Sequence, residues 1–106
     1  MKRGEIRWYT FRAPDRRRPV LILGRDEVLD QLGEVIVVPA TRTIRGLGTE
    51  VVLAPEEGMP VACALNFDHL GIVQKGRLGA VITELSPSRW QEAREALLVA
   101  CGFGGR

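Results

Sequence analysis

Histidine is almost absent from this chain. His69 stands alone among 106 residues, which rules out a metal site built from several histidines. There are two cysteines, Cys63 and Cys101, with no C-x-x-C or Cys/His spacing between or around them. That argues against a zinc ribbon or a dithiol redox site, and the expectation is a pair of buried free thiols. No apolar run approaches the roughly 18 residues that a membrane span needs. The opening Met1-Lys2-Arg3-Gly4-Glu5 lacks the apolar stretch of a signal peptide. A cytoplasmic protein without membrane contact is expected. Aromatic residues make up only 6% of the chain, so most of them should be needed to fill a core. Net charge is only +2, too small for unspecific coating of nucleic acid. A length of 106 residues suits one domain, 1–106, with a modest core that a partner subunit could reinforce.

Against these absences stands a concentration of arginine. Lys2, Arg3, Arg7, Arg12, Arg16, Arg17 and Arg18 precede the first long apolar run, with only Glu5 and Asp15 against them. Arg16-Arg17-Arg18-Pro19 leads straight into Val20-Leu21-Ile22-Leu23. Proline cannot donate to a strand ladder, and it biases the residue before it toward extended backbone, which aims Arg18 reproducibly. A second basic, hydroxyl-bearing segment, Thr41-Arg42-Thr43-Ile44-Arg45, follows the apolar run Val35–Ala40. Two strands that each meet arginines and hydroxyls point to one shared anion site. Phosphate suits the guanidinium fork best, because two parallel N–H groups can grip two of its oxygens.

Hydropathy patterning predicts strands over Glu5–Phe11, Val20–Leu23, Glu34–Thr41, Thr49–Leu53, Val61–Phe67, Leu70–Val73 and Leu78–Leu85. A turn is expected over Arg12–Arg16, and about two helical turns over Asp26–Leu32, stopped by Gly33. Ser86 followed by Pro87 reads as a helix start. Trp90, Ala93, Leu97 and Cys101 then recur on one face, and Gly102 ends the helix. Short strands in series before one terminal helix predict a mainly β, α+β domain: a small, strongly curved antiparallel sheet or partial barrel covered by the helix.

Several of these segments together resemble the MazF/PemK family of toxins. They are Arg3-Gly4-Glu5-Ile6-Arg7-Trp8 in the first strand, Arg17-Arg18-Pro19-Val20-Leu21-Ile22-Leu23 in the second, and Val37-Val38-Pro39-Ala40-Thr41 in the third. Glu50-Val51-Val52-Leu53 and Ala64-Leu65-Asn66-Phe67-Asp68-His69 continue the likeness, which extends over nearly the whole chain. The resemblance implies an SH3-like small barrel of the CcdB/PemK type and a homodimer. It also implies cleavage of single-stranded RNA without a metal or other cofactor, and neutralisation by a cognate antitoxin. By position in the motifs, it assigns catalysis to Arg18 and Thr41. Some relatives carry an arginine two residues before an aspartate in the fifth strand, where this chain has Asn66 before Asp68.

The remaining polar residues fit contacts to RNA. Arg16, Arg17, Arg42 and Arg45 are expected on flanking phosphates, with Thr43 sharing the face of Thr41. Asn66, Asp68 and His69 are candidates for reading a base edge, and His69 is equally suited to capping a strand end. Trp8, Tyr9, Phe11 and Phe67 could stack bases where the core does not claim them. Two other functions sit on the same type of fold: a CcdB-like gyrase poison and a silent RNA-binding barrel. The CcdB type works through its extreme C-terminus, including a tryptophan, whereas Trp90 here falls inside the predicted helix.

Overall fold

Alternation of side chains across one sheet organises the molecule. The computed structural model describes residues 1–12 and 16–104, with the side chain of Arg16 excepted. Strands β1 (Glu5–Phe11) and β2 (Arg16–Ile22) lead into a short helix α1 (Asp26–Leu29). Strands β3 (Glu34–Thr41), β4 (Glu50–Leu53), β5 (Cys63–Asn66), β6 (Gly71–Gln74) and β7 (Val81–Glu84) follow, and helix α2 (Trp90–Ala100) closes the series. The sheet runs β4-β5-β3-β2-β1-β7, with β6 also paired to β3, and every pairing is antiparallel. The long strand β3 changes partner along one edge. Glu34–Val37 pair with β6, whereas Ala40 and Thr41 pair with β5. That exchange curls the sheet into a half-barrel with two cores.

Inside the curl lie Ile6, Leu21, Val38, Val51, Leu65 and Phe67, sealed by Ala93 and Ala96 of α2. On the opposite face Tyr9, Val20, Ile22, Val35, Val37 and Val73 pack around Leu29 of α1. Neighbouring residues of β2 and β3 thus serve different cores, the expected result of a period of two in a strand apolar on both faces. Among the described residues no helix is long and apolar enough to cross a membrane.

Boundaries depart from the hydropathy reading in instructive places. β2 begins at Arg16 rather than Val20, because the arginines are paired into β1: Phe11 faces Arg16, Thr10 faces Arg17 and Tyr9 faces Arg18. The turn expected before it falls largely at 13–15, outside the described residues. The helix expected over Asp26–Leu32 keeps a single turn. The terminal helix is preceded by a 3₁₀ turn, Pro87–Arg89, and Ser86 makes no capping bond; its hydroxyl meets that of Ser88 at 3.1 Å instead. Arg89 anchors the helix start by binding Glu57 at 2.8 Å, Glu92 at 3.1 Å and the carbonyl of Val52. Gly102, at φ 82°, closes α2. Of the two thiols expected to be buried, Cys63 is, but Cys101 is exposed, because it follows the last turn of α2 and no described residue covers it there.

Candidate phosphate-binding cleft

The pairing of β2 with β3 is short, and its end creates the site. Ile22 faces Val37, Leu21 faces Val38 and Val20 faces Pro39, and there the ladder stops. Continued by two residues, the same register would set Arg18 against Thr41. Prolines stand on both strands at this point, Pro19 on β2 and Pro39 on β3, and neither can donate a backbone hydrogen bond. Beyond them β2 stays with β1 and β3 turns to β5, where Thr41 pairs with Ala64. A cleft of about 300 Å³ opens between the parted ends.

One wall of this cleft is cationic and hydroxylic: Arg17, Arg18, Thr41, Arg42 and Thr43. The other is apolar, formed by Trp8, Pro19 and the β4–β5 connection at Met59, Pro60 and Val61, with Cys63 beneath. Arg18 and Thr41 are half-buried, while Arg17, Arg42 and Thr43 are exposed. The backbone N–H of Thr43 donates to Oγ1 of Thr41 at 3.2 Å. This bond uses one of the two acceptor sites of the threonine oxygen and fixes the hydroxyl, and its own O–H is left to donate. Among the described residues, no hydrogen bond or ion pair engages the guanidinium groups of Arg17, Arg18 or Arg42. Burial, reinforced by the Glu57 carboxylate, pushes the Cys63 thiol above its ordinary pKa. It stays uncharged at neutral pH and does not compete with an anionic ligand.

The loop carrying Arg42 and Thr43 is tied from below. Glu50, buried at the start of β4, accepts the backbone N–H groups of Arg45 at 3.1 Å, Gly46 at 2.9 Å and Leu47 at 3.2 Å. Three successive N–H groups converging on one carboxylate form a small anion nest, occupied here by the protein's own side chain.

The other expected contact residues are not gathered into the cleft. Arg45 contributes its backbone to the Glu50 nest and its side chain is not part of the lining. Asn66, Asp68 and His69 build a separate turn at the end of β5. Oδ1 of Asn66 accepts the Asp68 N–H at 3.0 Å, and its Nδ2 lies 3.4 Å from Nδ1 of His69. Thr49 Oγ1 donates to Asp68 at 2.7 Å. Asn66 is two residues along β5 from Ala64, the partner of Thr41, so this turn is roughly 7 Å of strand away from the cleft. The side chain of Arg16 lies outside the described residues. Of the aromatics, Tyr9 and Phe67 are core residues, while Trp8 and Phe11 are half-buried.

Sequence reasoning missed the apolar wall at Met59, Pro60 and Val61: hydropathy puts Val61 at the start of a strand that begins only at Cys63, and the proline-flanked connection before it carries no hydropathy period. It also missed Glu50, whose partners are backbone groups and leave no side-chain signature. Among the described residues, no three His, Cys, Asp or Glu side chains gather as a metal-binding group.

The profile of the PemK-like, MazF-like toxins of type II toxin-antitoxin systems matches residues 2–100. This chain belongs to that family. It is 43% identical over 103 residues to the probable endoribonuclease MazF2 of Mycobacterium tuberculosis, covering 96% of this chain and 99% of the relative. The solved structure of the Mycobacterium tuberculosis toxin MazF-mt6 superposes with a TM-score of 0.85 at 32% identity, covering 92% of this chain and 96% of that one. A mycobacterial endoribonuclease solved in complex with its cognate antitoxin shares the fold, with a TM-score of 0.83 at 24% identity over 96% of this chain and 95% of that one. The curled antiparallel sheet with its C-terminal helix is therefore the MazF/PemK fold, and the homologues place the chain in the class of MazF endoribonucleases.

Proposed function

We propose that the cleft between the parted ends of β2 and β3 cuts single-stranded RNA by transesterification at phosphorus, with Arg18 and Thr41 as its catalytic residues. The observation that carries this reading is a half-buried arginine from β2 and a half-buried threonine from β3 lining one cleft of phosphate-accommodating size. RNA supplies its own nucleophile. The 2′-oxygen attacks the adjacent phosphorus and gives up its proton, the P–O5′ bond breaks, and the departing 5′-oxygen takes up a proton. The products are a 2′,3′-cyclic phosphate and a 5′-hydroxyl, and no metal is required. Arg18 donates two parallel N–H groups to the equatorial oxygens, where charge accumulates in the transition state. The Thr41 hydroxyl holds a phosphate oxygen or orients the 2′-hydroxyl. Arg17 and Arg42 neutralise flanking phosphates, and the apolar wall at Pro60 and Val61 accommodates a base.

Family membership supports two partners as well: a cognate antitoxin that neutralises the activity, and a second copy of the chain. The exposed pair Ile36 and Ile72, facing each other across β3 and β6, leaves apolar surface of the kind that a twofold partner covers.

The test is incubation of the protein with a long single-stranded RNA in EDTA, followed by mapping of the fragment ends. Discrete cuts with cyclic phosphate and 5′-hydroxyl ends are expected. Arg18→Ala should lower the rate roughly 100- to 1,000-fold with the fold unchanged. RNA left intact by the wild type, or cut equally well by Arg18→Ala, overturns the assignment.

A further inference from the structure

Both tryptophans of this protein carry an arginine on one face, at the same distance but in different circumstances. The guanidinium carbon of Arg3 lies 4.1 Å from the ring centroid of Trp90, and Nε of Arg3 donates to the carbonyl of Leu23 at 2.9 Å. That guanidinium is engaged by the protein, and the stack is part of the scaffold. The guanidinium carbon of Arg17 lies 4.1 Å from the Trp8 centroid, yet among the described residues it has no hydrogen-bond or ion-pair partner. Trp8 faces Pro19 in the β1–β2 ladder, and Arg17 faces Thr10. The two side chains are thus diagonal neighbours on one face of the sheet, the spacing at which a long side chain reaches across to an aromatic ring. Both line the cleft.

An exposed arginine ordinarily samples many rotamers, and a phosphate must arrest them on binding. Stacking on an indole restricts the guanidinium beforehand and leaves its N–H edges directed outward. We propose that Trp8 is a positioning residue for Arg17: it holds the guanidinium flat so that its edge grips the phosphate next to the one being cleaved. This inference rests on the RNA-cleaving reading above and adds to it. It also changes the use expected of Trp8, because one face of the indole is covered by Arg17 and is not open to a base.

A double-mutant cycle separates the two uses. The probe is a single-stranded RNA bearing the mapped cleavage site with a 2′-deoxy sugar there, so that the full-length protein binds without cutting. Its dissociation constant is read by fluorescence anisotropy over a series of salt concentrations. Arg17→Ala should reduce the slope of log affinity against log salt by about 0.7, the share of one single-strand phosphate. Trp8→Leu should weaken binding about two- to fivefold in the wild-type background and have no measurable effect in the Arg17→Ala background. Trp8→Phe, which keeps a ring, should restore most of the loss. If Trp8→Leu does not fold, Trp8→Met, unbranched and without a π face, completes the same cycle. Equal losses in both backgrounds mean that Trp8 touches RNA by itself, and they overturn the inference, as does a Trp8→Phe protein no better than Trp8→Leu. Each of those results leaves the cleavage reading standing. A wild-type protein that neither binds nor cuts any RNA removes that reading, and this inference falls with it.

Discussion

Replacing Glu50 by glutamine tests how the fold holds the cleft. The Glu50 side chain is buried at the start of β4, and its carboxylate accepts three backbone N–H groups, from Arg45, Gly46 and Leu47, at 2.9–3.2 Å. These bonds close the loop that delivers Arg42 and Thr43 to the cleft. Glutamine has nearly the same shape but no charge, and half of its head is itself a donor. Each charge-assisted bond is worth about 1.5–3 kcal/mol against about 0.5–1.5 for a neutral one, so three weakened bonds amount to roughly 3 kcal/mol. The smaller cost of burying a neutral amide offsets part of this, leaving a net loss of about 2 kcal/mol. For a domain of this size that corresponds to a fall in Tm of roughly 8–16 °C. Urea denaturation of wild type and Glu50→Gln gives the free-energy difference directly. Hydrogen exchange should show lost protection at the amides of Arg45, Gly46 and Leu47. In the proposed mechanism the loop carries phosphate contacts rather than Arg18, so the KM for RNA should rise more than kcat falls. A stability difference below about 0.5 kcal/mol, within the range of an ordinary surface substitution, would show that the nest does not hold the loop and refute the reasoning.

Two further perturbations probe the scaffold. Gly58 has φ +95°, and a Cβ there would sit 2.6 Å from Oγ1 of Thr83, whose hydroxyl donates to the Glu57 carbonyl at 3.1 Å. Gly58→Ala should therefore cost about 2–4 kcal/mol, combining left-handed backbone strain with overpacking; an unchanged denaturation midpoint would contradict this geometry. Burial alone would raise the pKa of the Glu5 carboxyl, but the bonds from Arg7 at 2.9 Å and from the Lys2 N–H at 3.2 Å outweigh it and hold the group below its ordinary value. A depressed folded pKa means stability that is present above the unfolded value and lost as pH falls through the folded one. Glu5→Gln should consequently be less stable than wild type at neutral pH, and the gap should close in acid. A constant gap across an acid series of denaturation curves would count against the assignment.

The strands were legible where their own residues carry the signal. β1 alternates, β3 is almost continuously apolar, and both were found with the predicted bounds, Glu5–Phe11 and Glu34–Thr41. The first four residues of β2 were not legible as strand, because Arg16, Arg17 and Arg18 have no apolar period and are extended only by pairing with β1. Arg18 and Thr41 could be named from their motifs, and Arg17, Arg42 and Thr43 from composition. Asn66, Asp68 and His69 could be named as a hydrophilic cluster after a strand, which reads alike whether it binds a ligand or caps the strand; their separation from the cleft lining is a property of the fold.

Local physics thus determined which segments become strands and helix, where the arginines and hydroxyls concentrate, and that an anion is what they suit. Tertiary structure alone decided that Arg18 and Thr41 line one cleft. Their juxtaposition depends on the register that sets Val20 against Pro39, on the loss of pairing beyond two prolines, and on the exchange of partners by β3. Register is a property of strand pairs, selected by the two cores they fill together, and no window of a single strand contains it. The same holds for Trp8 and Arg17. The strand period puts each residue on a face, but only the β1–β2 ladder makes them neighbours.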